Sequence, residues 1–285
     1  MNRRGWWLAA CGWGCLAMGT SLAQQKPEVD AEKQKVEALA IARRAARAYA
    51  MRVGGVKLEL QADPVLRWSN PEVGNVYGNV FVWTRNERPL VVGSLFHWLA
   101  AQPTMEHEFH SLAAEPVSAE FQGEKVWETR ESGVAFADIP QAPQPAASEA
   151  QRLLQLRQLA KEFTGVGKFG QNPSDQELRL LPQPIHRYAA PQEQVLAGGL
   201  FSFVRTTDPE ILLIIEARST ATPGPEARSR WQFAAVRMHS TADLWLKHGT
   251  QKVWQAEPLE IQEIFTVHER PYTAFKFREI PESLK

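Results

Sequence analysis

One short pattern occurs twice in this chain, and the repetition restricts the fold more than any other feature of the sequence. Phe136-Ala137-Asp138-Ile139-Pro140 returns toward the C-terminus as Phe277-Arg278-Glu279-Ile280-Pro281. Earlier landmarks, such as Lys125-Val126-Trp127 and Lys252-Val253-Trp254, recur in the same order at separations that grow along the chain. Loops tolerate insertions better than strands do, so we place the extra residues in loops. The sequence therefore predicts two copies of one folding unit.

Residues 1–23 have the pattern of a secretory signal peptide. Arg3-Arg4 supplies a positive region, Trp6 to Met18 is apolar, and Ser21-Leu22-Ala23 matches a small-residue cleavage site. We expect a mature chain that starts at Gln24 and is exported to the periplasm or the extracellular space. No transmembrane segment is expected after cleavage.

Three alternatives to an ordinary secretory signal peptide remain open. Leu8-Ala9-Ala10-Cys11 imitates a lipoprotein box, and Arg3-Arg4-Gly5-Trp6 imitates a twin-arginine signal, but both patterns are weaker. An uncleaved anchor is the third, because Trp6 to Leu22 reaches the lower end of the length that spans a bilayer.

Cleavage also removes both cysteines, Cys11 and Cys15, which excludes disulfides and thiolate metal sites from the mature chain. The mature chain has two more acidic than basic side chains. Such a small net charge gives no long-range attraction for nucleic acid or anionic lipid, so we expect no nucleic-acid partner.

The expected fold class is α+β, with two tandem repeats that each consist of one helix followed by an antiparallel β-meander. The first repeat covers residues 24–140, with a helix from the N-cap Asp30 to Gly54-Gly55. A Pro-rich linker, 141–147, precedes the second repeat, 148–285, whose helix starts with the Ser148/Gln151 capping box and runs to Gly165. Alternating patterns predict strands at 56–61, 76–84, 90–98, 106–114, 117–121, 125–129 and 134–138, and then at 177–181, 196–205, 210–217, 230–238, 241–247, 251–255 and 272–279.

Several of these strands are apolar on both faces. Val80 and Val82 lie on one face of their strand while Phe81 and Trp83 lie on the other, and every residue from Ile211 to Ile215 is apolar. A helix covers only one face of a sheet, so the second face needs another layer. We predict that the two repeats pack against each other about a pseudo-two-fold axis.

One glycine-rich stretch has the glycine spacing of a dinucleotide-binding motif but not its structural context: Gly165-Val166-Gly167-Lys168-Phe169-Gly170. That motif needs a strand before it and a helix after it, whereas here we predict the reverse order. We interpret the glycines as a helix C-cap and loop, and we expect no cofactor.

One group of residues could hold a metal ion. Glu106, Glu108 and His110 project from one face of a predicted strand, and His97 on the neighbouring strand could add a ligand for zinc or a similar ion. The more ordinary interpretation is a polar, solvent-facing side of the strand with Phe109 turned inward.

Seven tryptophans remain after cleavage, and three of them lack an aromatic counterpart in the other repeat. Because amphipathic aromatic rings stack on sugars and other ligands, these three are the candidates for ligand binding: Trp68, Trp98 and Trp245. The other interpretation is that they fill the core. No Gly-x-Ser-x-Gly elbow and no mature cysteine points to nucleophilic catalysis.

Three segments carry a resemblance to a known group of proteins: Val76–Thr84, Glu108–Leu112 and Leu178–Pro184. Together they resemble exported, uncharacterised proteins of planctomycete-type bacteria. The resemblance implies export and the two-copy architecture, and it brings no activity, cofactor or catalytic residue. We expect a non-enzymatic binding or interaction module with a protein, small-molecule or glycan ligand outside the cytoplasm; the alternatives are a metal-assisted hydrolase centred on residues 106–110 and a carbohydrate or small-ligand binder.

Overall fold

The computed structural model describes residues 25–99, 104–170, 174–219 and 229–278, together with residues 281 and 284. The predicted signal peptide, and part of the second copy of the terminal pattern, lie outside this range. The chain divides into two compact units, residues 1–36 and 37–285. Residues 25–36 of the first unit begin a helix. The second unit contains the site described below.

The first half of the chain has one helix and a series of strands: α1 (Gln25–Ala48), β1 (Tyr49–Val53), β2 (Val56–Lys57), β3 (Glu59–Leu60), β4 (Leu66–Ser69), β5 (Val76–Arg85), β6 (Arg88–Trp98), β7 (Thr104–Ser111), β8 (Val117–Phe121), β9 (Glu124–Glu128) and β10 (Ala137–Asp138). The second half continues with α2 (Glu149–Ala160), β11 (Phe163–Lys168), β12 (Gln176–Leu180), β13 (His186–Ala190), β14 (Val195–Arg205), β15 (Asp208–Ser219), β16 (Ser229–Arg237), β17 (Asp243–His248), β18 (Gln251–Ala256), α3 (Ile261–Ile264) and β19 (Tyr272–Phe277). The α+β class and the antiparallel sheets are as predicted. None of the described helices is both long and apolar enough to cross a membrane.

Both predicted helices end earlier than expected. The Ser148 cap is confirmed, since its side chain accepts a hydrogen bond from the backbone N–H of Gln151. However, α1 and α2 end at Ala48 and Ala160, and the next residues form β1 and β11. The residues after each helix keep an apolar spacing that suits a helix, but they form strands because β1 pairs with β8 and β11 pairs with β17 along their full lengths. At its other end α1 begins at Gln25, so Asp30 lies inside the helix and is not its N-cap.

The glycine-rich stretch is mostly strand, so our interpretation as a helix cap and loop is wrong. Gly165 lies in β11 and pairs with Leu178 on one side and Leu246 on the other. A Cβ at Gly165 would approach the ring of Phe203 at 2.8 Å. The glycine is therefore required by close packing within the sheet.

The strands form three antiparallel sheets over the described residues. The four-stranded sheet has the order β2-β1-β8-β9, and the six-stranded sheet has the order β19-β7-β6-β5-β3, with β4 also on β5. The nine-stranded sheet runs β10-β16-β15-β14-β12-β11-β17-β18, with β13 on β14. The meander β5-β6-β7 is confirmed. Strands β8 and β9 do not continue it, because β8 pairs with β1 in the four-stranded sheet and β9 pairs with β8.

The last strand of each half pairs with the other half of the chain. β19 lies beside β7, where Tyr272 is opposite His110, and β10 lies beside β16, where Ala137 is opposite Phe233. Each half therefore completes a sheet of the other.

The doubly apolar strands are covered on both faces, as predicted. Phe81 and Trp83 of β5 pack in a core with α1, β1 and β8. Val80 and Val82, on the opposite face, share a second core with Leu212 and Ile214 of β15. The six-stranded and nine-stranded sheets thus pack face to face, and the candidate site lies at one end of this shared core.

Candidate ligand-binding pocket

A cavity of about 230 Å³ opens between the six-stranded and the nine-stranded sheet. Strands β4 to β7 supply one side of its wall, while β14, β15 and the turn after β16 supply the other. Its lining consists of Trp68, Asn70, Val73, Val76, Phe96, Trp98, Glu106, Glu108, Arg205, Asp208, Glu210, Met238, His239, Ser240 and Thr241.

Four carboxyl groups from two strands line this cavity. Glu106 and Glu108 project from one face of β7 because alternate residues of a strand share a face. Asp208 and Glu210 project in the same way from the start of β15. The two pairs come from different halves of the chain, so only the packing of one sheet on the other brings them together.

The four carboxyl groups differ in their partners. Lys276 Nζ lies 2.7 Å from Oε1 of Glu106 and neutralises that group. The amide of Asn70 donates a hydrogen bond to Asp208. Glu210 is only 1% exposed, and its Oε2 has no hydrogen-bond partner among the described residues.

Burial shifts the protonation of three of these groups. It raises the pKa of Asp208 to about 7, against the opposing effects of the Asn70 hydrogen bond and the Arg205 charge. Burial also raises the pKa of Glu210 well above its usual range, and the charges of Asp208 and Glu108 add to this shift. The pKa of Glu108 is raised in the same way, first by burial and then by Asp208. Asp208 is therefore present in both its protonated and its ionised form near neutral pH.

The two arginines near the cavity have other partners. Arg205 Nη2 lies 2.7 Å from Oε2 of Glu72, and its guanidinium stands 4.9 Å from the ring centroid of Phe169. Arg237 is buried and donates to the backbone carbonyl oxygens of His239, Ser240, Ala242 and Glu257. Its role is therefore to fix the turn after β16, which carries one wall of the cavity.

His239 presents a neutral ring at this wall. Its Nδ1 accepts hydrogen bonds from the backbone N–H groups of Thr241 and Ala242, at 3.2 and 3.0 Å. Burial lowers the pKa of His239 to about 4, so the ring is neutral at pH 7 and its proton is on Nε2.

Two of the three candidate tryptophans, Trp68 and Trp98, form an aromatic wall with Phe96. The ring centroids of Trp68 and Phe96 are 5.3 Å apart, and Trp68 Nε1 donates to Ser94 Oγ at 3.0 Å. The Nε1 atom of Trp98 is buried without a hydrogen-bond partner among the described residues. Trp245 lies elsewhere, in β17, with the ammonium groups of Lys168 and Lys252 over its ring.

The structure does not bring the four candidate metal ligands together. His97 is opposite Met105 on β7, whereas Glu106 is opposite Phe96, so His97 projects from the other face of the sheet. His110 lines a different cavity, beside Arg237 and Tyr272. Throughout the described parts of the chain, no group of three or more His, Cys, Asp or Glu side chains is arranged to hold a metal ion.

Sequence reasoning missed Asp208 and Glu210. A signal was present, because two acidic residues stand directly before Ile211 to Ile215, a strand that is buried on both faces. An ionisable residue that enters such a strand has no face that is open to solvent, so it points either to a partner or to a cavity.

Comparison of the chain with protein-family models, with curated proteins and with solved structures found no match.

Proposed function

We propose that this protein is an exported binding module that holds a small molecule in the cavity between its two larger sheets. The observation that carries the proposal is the Glu210 carboxyl, which lines the cavity, is almost fully buried and leaves Oε2 without a partner among the described residues. A buried acceptor without a partner costs free energy. A ligand that donates a hydrogen bond to Oε2 would remove this free-energy cost.

The surroundings of Glu210 support the same proposal. Ligand sites are concave, largely apolar and equipped with a few convergent polar groups, and this cavity combines an aromatic wall with the carboxyl groups of Glu108 and Asp208. Raised carboxyl pKa values also occur preferentially at functional sites. Apolar residues would pack in these positions at lower cost, as Ile211 to Ile215 do in the middle of β15.

Binding is favoured over metal-assisted hydrolysis by the placement of the residues. Glu106 is paired with Lys276, and His110 and His97 lie away from the cavity wall that Glu108 forms. A carbohydrate binder is the second candidate, because Trp68 and Trp98 line the cavity beside carboxyl acceptors. Trp245 has no part in either site.

A bulky residue at the mouth of the cavity tests the proposed function. Val73 lines the cavity and is 47% exposed, so Val73→Trp narrows the opening without disturbing the core. Val56→Trp is the matched control, since Val56 is 54% exposed and lies in β2. Thermal unfolding of the full chain is measured with neutral polyols, amines and carboxylates, and native mass spectrometry is used to detect molecules that co-purify.

We expect at least one class of compound to raise the Tm of the wild type and of Val56→Trp but not of Val73→Trp. A ligand at one hundred times its Kd adds about 2.7 kcal/mol to the free energy of unfolding, which is well within detection. If no class gives a shift that depends on residue 73, the cavity is not a binding site and the proposal is wrong.

Export is proposed from the signal pattern of residues 1–23 alone. The test is expression of the full chain in a bacterium, followed by fractionation and mass spectrometry of the N-terminus. We expect a periplasmic or extracellular product that begins at Gln24. A cytoplasmic product that retains Met1 would contradict export.

We propose the duplication because β4 to β6 and β13 to β15 pair in the same register, with corresponding residues separated by the same number of positions along the chain. Trp68 is opposite Gly78 as Tyr188 is opposite Gly198, and in both pairs the ring covers the glycine. On this correspondence Trp68 has an aromatic counterpart in Tyr188, contrary to our expectation from the sequence. The β5–β6 and β14–β15 hairpins also share a register shift next to a proline, at Pro89 and Pro209. A crystal structure tests the proposal, because β4 to β7 should superimpose on β13 to β16 about a pseudo-two-fold axis. Strands that cannot be superimposed would contradict it.

A further inference from the structure

We propose that the ligand of this cavity is a small organic cation, an amine or a quaternary ammonium compound, held between the carboxyl groups of Glu108, Asp208 and Glu210 and the aromatic wall. The inference rests on the proposed function, since it assigns a ligand class to the same site. It depends on the balance of charge inside the cavity.

Acidic groups outnumber the basic groups that could neutralise them. Glu106 has its own cation in Lys276, and Arg205 has its own anion in Glu72. Three carboxyl groups then remain, and within the part of the chain that the structure describes the other cation near them is Arg237.

Arg237 does not neutralise these three carboxyl groups through hydrogen bonds. Its guanidinium donates to four backbone carbonyl oxygens in and near the turn after β16. The guanidinium is also held over the ring of Tyr272, 5.5 Å from its centroid. The cavity therefore accepts additional positive charge and disfavours an anion.

The aromatic wall suits the same class of ligand. A cation is attracted to the face of an indole, and Trp68 and Trp98 line the cavity opposite the strand that carries Asp208 and Glu210. An engineered apolar cavity of about 150 Å³ holds benzene, so the 230 Å³ present here accommodates an amine of several carbon atoms.

Binding of a cation requires ionised carboxylates, so it is coupled to the loss of protons. Burial holds part of the Asp208 population protonated near pH 7, and it also raises the pKa of Glu108 and of Glu210 above the usual range of a carboxyl group. His239 and Tyr272 also face these carboxyl groups, and both stay neutral in this range because burial lowers the pKa of His239 to about 4 and raises the pKa of Tyr272. Affinity for a cation should therefore rise with pH, whereas affinity for a neutral ligand should not.

The experiment compares cations with neutral molecules of the same shape. Choline is matched by 3,3-dimethylbutan-1-ol, and butylammonium by butan-1-ol. Binding to the full chain is measured by calorimetry at pH 6 and pH 8, in two buffers of different ionisation enthalpy. We expect at least one cation to bind, about tenfold more tightly at pH 8 than at pH 6 because one carboxyl has a pKa of about 7, with close to one proton released on binding at pH 6 and much less at pH 8.

Isosteric variants identify the carboxyl groups that bind the cation and cause the pH dependence of its affinity. Glu210→Gln keeps the shape of the side chain and should weaken cation binding at least tenfold, whereas the control Glu124→Gln, at an exposed position of β9, should leave it unchanged. Asp208→Asn should remove most of the pH dependence. This second variant keeps the test informative if Glu210→Gln does not fold.

The outcomes separate this inference from the function on which it rests. If the neutral compounds bind as tightly as the cations, and Val73→Trp abolishes binding of both, the cavity binds ligands but the assignment of a cation is overturned. If neither class binds in a manner that depends on residue 73, the inference and the proposed function both fail.

Discussion

Nδ2 of Asn70 donates a hydrogen bond of 3.2 Å to Oδ2 of Asp208, and the two residues come from opposite halves of the chain. Asn70 in turn accepts a hydrogen bond from the backbone N–H of Glu72 through its Oδ1, so its amide is held in one orientation. Through this contact the loop after β4 positions a carboxyl group that begins β15. Both halves of the chain therefore form the cavity, and the position of its carboxyl groups depends on the packing of one half against the other.

The pH dependence of stability follows from Asp208. Its pKa is about 7 in the folded chain and near 3.8 when unfolded, so the folded state binds the proton more tightly. The free energy of unfolding of the ligand-free protein should therefore fall as pH rises from about 4 to 7. The loss should be about 1–3 kcal/mol, less than the full shift implies, because Asp208 keeps some contact with water.

Asp208→Asn is the variant that checks this prediction. Chemical denaturation at pH 4.5 and pH 7.5 should show a smaller decline for Asp208→Asn than for the wild type. Glu124→Gln, an exposed carboxyl in β9, is the control and should behave as the wild type. Equal declines in all three proteins would show that Asp208 titrates normally.

His97 should have the opposite pH dependence. It is 2% exposed, both ring nitrogens lack partners among the described residues, and burial lowers its pKa to about 4. A histidine with a lowered pKa destabilises the fold as pH falls below about 6.5 toward that value, because the unfolded chain takes up the proton first. His97→Leu should raise the free energy of unfolding by about 1 kcal/mol at pH 7, and by about 2 kcal/mol more at pH 5.

Urea denaturation at the two pH values measures this difference. His248→Leu is the control, because His248 is 3.0 Å from Glu162 and has a partner for its Nε2 atom. The difference in the free energy of unfolding between His248→Leu and the wild type should not become more favourable to the variant when the pH is lowered. A His97→Leu protein that is less stable than the wild type at both pH values would indicate that His97 has a partner we have not identified.

The buried ion pair between Arg88 and Glu216 joins β6 of the first half to β15 of the second. Arg88 Nε and Nη2 donate to the two carboxylate oxygens of Glu216 at 2.7 and 3.1 Å, and the Glu216 side chain is fully buried. Arg88→Met leaves that carboxylate with the Tyr188 hydroxyl and Arg218 as its remaining partners. We expect a loss of about 3 kcal/mol in the free energy of unfolding.

Two further variants identify the cause of that loss. Arg88→Met combined with Glu216→Met should recover most of the stability, since no unpaired buried charge remains. Arg130→Met removes an exposed pair with Glu269 and should cost less than about 1 kcal/mol. If Arg88→Met costs no more than Arg130→Met in chemical denaturation, the buried pair contributes little to the joining of the halves.

Gly78 allows the Trp68 ring to lie flat on β5. An added Cβ at residue 78 would overlap the indole of Trp68, which is itself buried and bonded to Ser94. Gly78→Ala should therefore cost about 1–3 kcal/mol and disturb the aromatic wall of the cavity. A double-mutant cycle with Trp68→Phe checks the cause, because the smaller ring should relieve most of the penalty. Additive effects of the two substitutions would contradict the overlap.

The sequence by itself determined the local features of this protein. Period-two patterns located most of the long strands, the Ser148 cap located the start of α2, and the doubly apolar face of β5 showed that a second layer had to cover it. These signals are local because side-chain alternation and capping depend on neighbours along the chain. They also placed Glu106 and Glu108 on one face of β7, and they singled out Trp68 and Trp98.

Only the tertiary structure decided which residues meet. Tyr49 to Val53 and Phe163 to Lys168 became strands because ladder partners far along the chain were available, although their spacing also suits a helix. The same holds for the cavity, where Asp208 and Glu210 reach Glu108 through sheet packing, and for His97, whose register with Met105 turned it to the opposite face. Register and sheet packing are set by contacts between distant segments, and a one-residue change of register moves a side chain to the other face of its sheet.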